Sequence, residues 1–298
     1  VTAALVAAGL GKRYGQRWAL RGCDLDIPAG RIVGLVGPNG AGKTTLLHLA
    51  VGLLVPTEGR IEVVGGRPGD SAEQIGRVGF LAQDAPTYSA LSVSDHLRFG
   101  AQLSPRWDHA LAAERIEQLN LDPAQRAGRL SGGQRAQLAL TLAIAKRPDV
   151  LLLDEPVASL DPLARRTFLA SLMAYVADSG VSVVLSSHLL ADLERVCDYL
   201  VLLTAAHVQL AEGVDELLAT HRRLIGPQRD GSSLPRSQQV VTASHTDRQS
   251  TFVVRTDEPV LDPAWQVEEL SLEDVVLAYM EGDESPVNGS APRLGMLR

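Results

Sequence analysis

An α/β domain built on a largely parallel sheet is the fold class predicted by this 298-residue sequence, and three observations carry that reading. Short β-rich runs alternate with longer helical ones through the first ~220 residues. One of these runs, Arg31-Ile32-Val33-Gly34-Leu35-Val36, passes through a glycine-rich turn into the helical stretch Lys43 to Val51. Two others, Val150 to Leu153 and Val181 to Leu185, are continuously apolar, as strands are when both faces of their sheet are covered.

Composition narrows the classes. Hydrophobic residues make up 45% and charged residues 21% of the chain, which suits a folded globular protein and excludes a disordered or collagenous one. With 28 Lys+Arg against 35 Asp+Glu the formal charge is −7. No broad basic footprint for nucleic acid is expected, so a phosphate ligand must be held by a local site. The longest apolar runs fall far short of the ~20 residues that a membrane-crossing helix needs. The start, Val1-Thr2-Ala3-Ala4-Leu5, has no basic segment ahead of an apolar stretch, so a secretory leader is not expected. Two cysteines, Cys23 and Cys197, read as free buried thiols and not as a disulfide framework.

Taken along the chain, Thr57 to Val64 and Val78 to Phe80 are short apolar segments broken by Gly and Pro, and suggest an antiparallel β patch beside the parallel sheet. The region from about Ser92 to Asn120 is rich in Ala, Leu and charge without strand signals and reads as a helical insertion, bounded at about 92–130. Helices are expected over Arg135 to Ala145 and Pro162 to Ala177. The stretch from Gly226-Pro227 to Pro235-Arg236 has the Gly, Pro, Ser and charge content of a linker, dividing residues 1–225 from a small C-terminal extension, 226–298. There, Gln239 to Ala243 could pair with Thr251 to Arg255. Ser271 to Met280 opens with a capping-box-like Ser-x-x-Asp and continues as an amphipathic helix, and the last ~18 residues read as a mobile tail.

Three motifs carry chemistry. Gly37-Pro38-Asn39-Gly40-Ala41-Gly42-Lys43-Thr44 fits G-x-x-x-x-G-K-[ST] between a strand and a helix. Its glycines let successive backbone N–H groups wrap a phosphate at the positive end of a helix. Lys43 would neutralise β and γ phosphates and Thr44 would offer a hydroxyl to Mg²⁺; the bland alternative is a glycine turn with a surface lysine. Leu151-Leu152-Leu153-Asp154-Glu155 is a strand that ends in two carboxylates at the edge where α/β folds place ligands. Asp154 can hold Mg²⁺ through its water shell, and Glu155 can orient a water for in-line attack on a γ-phosphorus. Alone, such a pair before Pro156 would be a solvated turn. Leu130-Ser131-Gly132-Gly133-Gln134 precedes the helix from Arg135 and makes a second glycine-rich helix N-terminus, which a single nucleotide per chain does not need.

That last motif resembles the signature of ABC-transporter ATPases, and the resemblance runs in family order over roughly residues 5–220. It implies a P-loop NTPase fold of the ABC ATPase type, with ATP and Mg²⁺ bound. Two protomers would face head to tail, with Ser131, Gly132, Gly133 and Gln134 of one capping the γ-phosphate held by the other's loop, Gly37 to Thr44 and Thr45. By the same resemblance Tyr14 stacks on adenine, with Trp18 as the nearby competitor. Gln83, in Gly79-Phe80-Leu81-Ala82-Gln83, touches Mg²⁺ and senses the membrane partner. Ser159-Leu160-Asp161 crosses the dimer interface, and His188, in Ser186-Ser187-His188, contacts the γ-phosphate. All hydrolysis positions are filled, so the site is expected to be active.

The function implied is that of an ATP-hydrolysing subunit working through a separate transmembrane permease subunit at the cytoplasmic face of the membrane, with no nucleic-acid partner; the helix around Ser271 to Met280 resembles the short extension of bacterial export-type (drug or antibiotic) ABC ATPases, so export is the expected direction. The alternatives are a non-transport ABC ATPase acting on the ribosome or DNA, or a regulatory nucleotide sensor. Leu91, Val93, Leu97 and Phe99, with Tyr88, would include the docking groove for the permease. One departure stands out: the turn in Leu203-Thr204-Ala205-Ala206-His207-Val208 lacks the glycine usual in relatives, which puts that hairpin's geometry in question.

Overall fold

The computed structural model describes residues 3–83 and 86–284. The chain divides between Leu217 and Leu218 into two units.

The first unit opens with two long strands, β1 (Ala3–Tyr14) and β2 (Arg17–Pro28), followed by β3 (Ile32–Val36) and helix α1 (Lys43–Ala50). Next come β4 (Glu58–Val63), α2 (Ala72–Arg77) and β5 (Val78–Leu81). The insertion contains α3 (Val93–Leu103) and α4 (His109–Gln118). It is followed by α5 (Gly132–Ile144), β6 (Val150–Asp154), α6 (Pro162–Ser179) and β7 (Ser182–Ser186). The unit ends with α7 (Leu190–Leu193), β8 (Tyr199–Thr204), β9 (His207–Gly213) and α8 (Val214–Thr220), which carries the division.

The core sheet has the order β5-β6-β7-β3-β8-β9 and is parallel except for β9. Every residue of β3, β6 and β7 is buried, which explains why these strands read as unbroken apolar runs. Beside it, β2-β1-β4 form an antiparallel sheet. Helix α1 packs on β6 of the core and on β2 and β4 of the antiparallel sheet. Leu5, Leu20, Leu47, Leu152 and Val201 accordingly share one core.

Two sequence expectations change here. Val78 to Phe80 does not join the antiparallel patch: β5 pairs in parallel with β6, Val78 opposite Val150 and Phe80 opposite Leu152. A four-residue strand in this position satisfies its backbone through one neighbour and leaves no helical crossover signal of its own. Thr57 to Val64 does join the patch, as β4, and the rest of the antiparallel sheet is supplied by β1 and β2, whose period-2 alternation is interrupted by register shifts between Ala7 and Leu10 and again before Lys12 and Arg13. Gly226-Pro227, read as the start of a linker, is the end of a strand, and the division of the chain falls earlier.

Helix boundaries follow local chemistry. Ser92 and Asp95 close a capping box on α3, as do Ser131 and Gln134 on α5. Asp161 caps α6, with Pro162 in the first turn. The second unit holds β10 (His221–Pro227), β11 (Gln239–His245), β12 (Gln249–Arg255), β13 (Gln266–Glu268) and helix α9 (Leu272–Glu284), in the sheet order β11-β12-β10-β13. Strands β11 and β12 pair as the sequence suggested. Ser271 Oγ accepts from the Asp274 N–H at 3.1 Å, closing the expected cap of α9. The expected tail begins inside α9; its remainder lies outside the described residues. Cys23 and Cys197 are buried and free. Among the described residues no helix is long and apolar enough to cross a membrane.

Candidate functional site

Four neighbouring parallel strands, β5, β6, β7 and β3, end on the same edge of the sheet, and each releases its chain into a loop that carries a candidate residue: Gln83 after β5, Glu155 after β6, His188 after β7 and the Gly37–Thr44 loop after β3. This is the edge at which doubly wound sheets place ligands. A cavity of about 720 Å³ opens there. It is lined by Asn39, Gly40, Gly42, Lys43, Thr44 and Thr45 of the loop, by Gln83, Glu155 and His188, and by Tyr14, Arg17 and Ala19 of the first hairpin.

The loop is held by close backbone contact. Gly37 (φ 147°) and Gly42 (φ 110°) adopt conformations that side-chain-bearing residues rarely take, and a methyl group at either would overlap a carbonyl oxygen, that of Leu203 or Ala19. Between them the Ala41 N–H donates to the Pro38 carbonyl at 3.1 Å. Lys43 is only 6% exposed; its Nζ donates to the Gly37 carbonyl at 2.7 Å and the Pro38 carbonyl at 3.3 Å and lies 4.0 Å from Glu155 Oε1. Burial pulls the ammonium below its ordinary pKa, opposed by the Glu155 and Asp154 carboxylates.

The acidic pair is fixed from β7. Ser186 Oγ donates to Asp154 Oδ1 at 2.8 Å and accepts the Glu155 N–H at 2.8 Å. Asp154 is buried at the end of its strand, whereas Glu155 takes a left-handed backbone (φ 44°) that turns its carboxylate out of the sheet direction. A non-glycine residue held there stores backbone strain of about 1–3 kcal/mol, a cost common at reactive sites. His188 Nδ1 lies 3.2 Å from Glu155 Oε2.

Sequence-predicted residues separate into two places. Tyr14, Lys43, Thr44, Thr45, Gln83, Glu155 and His188 share the cavity, while Asp154 is buried, bonded to Ser186, and not part of its lining. Trp18, the competitor of Tyr14, does not line the cavity; Arg13 and Arg21 stack on its ring. Ser131, Gly133 and Gln134 line a different hollow of about 280 Å³, together with Asp161, Leu163 and Ala164. Ser131 Oγ accepts from the Gln134 N–H at 3.2 Å, and Gln134 Oε1 accepts from the Ser131 N–H at 2.9 Å. Sequence reasoning missed Ser186 as the brace of the acidic pair, although it stood two residues before His188. It also missed Arg17, whose only signal is its position opposite Tyr14 in a hairpin, and Ala19 two residues further along the same strand.

A phosphate-cradling loop with an acid, an amide and an imidazole gathered at the same sheet edge defines a nucleoside-triphosphatase of the P-loop class. The particular branch follows from relatives. Residues 20–158 match the ABC transporter family. The chain is 35% identical over 229 residues to Nod factor export ATP-binding protein I of Ralstonia nicotianae, covering 74% of this chain and 70% of that protein. It is 37% identical over 215 residues to the aliphatic sulfonates import ATP-binding protein SsuB of Pseudomonas putida, covering 71% and 77%. A solved ATP-binding subunit of an ABC transporter superposes with a TM-score of 0.65 at 27% identity, over 72% of this chain and 91% of that one. The chain belongs to the ATP-binding, ATP-hydrolysing subunits of ABC transporters. Export and import relatives match it equally well, so identity does not choose a direction.

Proposed function

We propose that this chain is one of two ATPase protomers that close head to tail on ATP and drive export through a separate transmembrane permease subunit. The observation that carries the pairing is the separation within one chain: the nucleotide cavity contains Lys43, Glu155 and His188 but not Ser131, Gly133 or Gln134. One chain offers half of two sites, and a second copy would complete both. Export is supported by the C-terminal helix around Ser271 to Met280, which resembles the short extension of bacterial export-type subunits.

In this reading Tyr14 offers its exposed ring to adenine. The loop amides cradle the phosphates, and Lys43 exchanges its two carbonyl partners for phosphate oxygens, which offsets the cost of its burial. Glu155 orients a water in line with the γ-phosphorus and takes its proton as the new P–O bond forms and the bond to the ADP oxygen breaks. His188 holds the Glu155 carboxylate and reaches the γ-phosphate. Thr44, Gln83 and Asp154 supply a hydroxyl, an amide oxygen and a carboxylate, hard oxygen donors of the kind Mg²⁺ takes alongside phosphate oxygens and water. These residues fit the ion and would hold it; it supplies charge neutralisation at the β and γ phosphates. Ser131, Gly132, Gly133 and Gln134 present their helix N-terminus to the partner's γ-phosphate, and Ser159-Leu160-Asp161 lies next to them in the chain's own interface region.

The permease is proposed to dock on the start of the insertion. Val93 is buried and belongs to the local core, while Tyr88 and Phe99 are exposed and in edge-to-face contact. Tyr88 is held by its N–H donating to His96 Nε2 at 3.0 Å.

The test uses Glu155→Gln, which keeps the phosphate cradle and removes the base. It is expected to bind ATP, to lose about 10²–10⁴-fold of turnover and to run as a dimer in size-exclusion chromatography with ATP. Lys43→Ala should stay monomeric. A Glu155→Gln chain that binds ATP yet remains monomeric at all concentrations would remove the two-protomer reading.

A further inference from the structure

We infer that Arg17 is a nucleotide-binding residue that pairs with the α-phosphate; the inference rests on the nucleotide reading of the cavity proposed above. Tyr14 and Arg17 are directly opposite each other across the β1–β2 hairpin, so their side chains stand on the same face of the sheet, and both line the cavity. Strand β2 then runs alongside the phosphate loop. A methyl group at Gly40 would lie 3.4 Å from Arg17 Nη2, and one at Gly42 would overlap the Ala19 carbonyl oxygen. Arg17 therefore stands between the ring that would receive the base and the loop that would receive the terminal phosphates.

Arg17 is exposed and makes no ion pair with any described residue. Two other arginines near the hairpin, Arg13 and Arg21, lie over the Trp18 ring. Lys43 is engaged by the Gly37 and Pro38 carbonyls within the loop, the position from which such a lysine serves the β and γ phosphates. A nucleotide spanning the cavity carries its ribose and α-phosphate past the remaining wall, and the group there is a guanidinium, whose planar fork suits two phosphate oxygens at once.

Titration of the purified chain decides this, with affinities for adenosine, AMP, ADP and ATP read by displacement of a fluorescent ADP analogue. Arg17→Ala is expected to weaken AMP, ADP and ATP by a common factor of about tenfold and to leave adenosine unchanged. Arg17→Lys, which keeps the charge and loses the fork, should recover part of the loss. A loss confined to ATP, an equal loss for adenosine, or no loss at all would overturn the assignment. If the unsubstituted chain bound no ATP or ADP, the nucleotide reading itself would fail, an outcome distinct from an Arg17→Ala chain that binds normally.

Discussion

Single residues show two opposite electrostatic bargains. Lys43 stands where charge is poorly solvated, a burial that two loop carbonyls and the Glu155 carboxylate oppose and that phosphate oxygens would offset further. Asp108 is already satisfied: its Oδ1 accepts the Leu111 N–H at 2.9 Å at the start of α4, and its Oδ2 lies 2.7 Å from Arg147 Nη2. The Leu111 amide and the Arg147 guanidinium hold this carboxyl below its ordinary pKa. A carboxylate whose folded pKa is depressed stabilises the fold above its unfolded pKa, and that contribution is lost as pH falls through the folded value. Asp108→Ala is therefore expected to cost about 1 kcal/mol near pH 7, the usual loss of a helix cap, and the gap from the unsubstituted chain should narrow in acid. Urea unfolding at pH 7 and near pH 3 measures both.

Among the elements, the β8–β9 hairpin is the one that departs from local preference. Ala205 (φ 44°) and Ala206 (φ 68°) both take left-handed backbones in a two-residue turn joining Thr204 to its partner His207, where Asn-Gly would be the usual choice. The turn has outside support: the Ala206 carbonyl accepts the Arg21 N–H at 2.8 Å and lies 3.4 Å from Cys23 Sγ. Ala206→Gly is expected to raise unfolding stability by about 1 kcal/mol, the left-handed penalty it removes, with ATP turnover unchanged; denaturation and ATPase assays together check this. The missing glycine was legible in the sequence; the two alanines still accept the turn because β2 holds it from the other side. Legibility elsewhere follows the same division. Strands buried on both faces and helices with side-chain caps announced themselves in the residues, as Val150 to Leu153 and Ser271 to Asp274 did. The strands β1 and β2, broken by bulges, and the four-residue β5 did not, because their identity depends on neighbours distant in the chain. At the site, Lys43, Asp154 and Glu155 were readable from motif spacing, whereas Ser186 and Arg17 emerge only when two strands are set side by side.

For the whole molecule, the proposed division of labour separates nucleotide chemistry from membrane attachment. Tyr88→Asp and Phe99→Asp change exposed positions outside the nucleotide cavity. In the purified chain they are expected to leave basal ATPase intact, while abolishing recruitment to membranes when the cognate permease is co-expressed, as membrane fractionation would read. Undiminished recruitment of both folded variants would move the docking surface to the second unit, beyond Leu218. The order of strands in the core sheet also bears on how the chain is made. Strand β3, which launches the phosphate loop, is flanked by β7 and β8, both of which are synthesised roughly 150 residues later. At about 5–20 residues per second, a ribosome needs on the order of ten seconds or more to deliver them. During that interval the nascent chain holds a fully apolar strand with both edges open, the species most prone to aggregate. A message cut short before β7 leaves that strand unpaired for good, so a truncated product should be insoluble and not merely inactive.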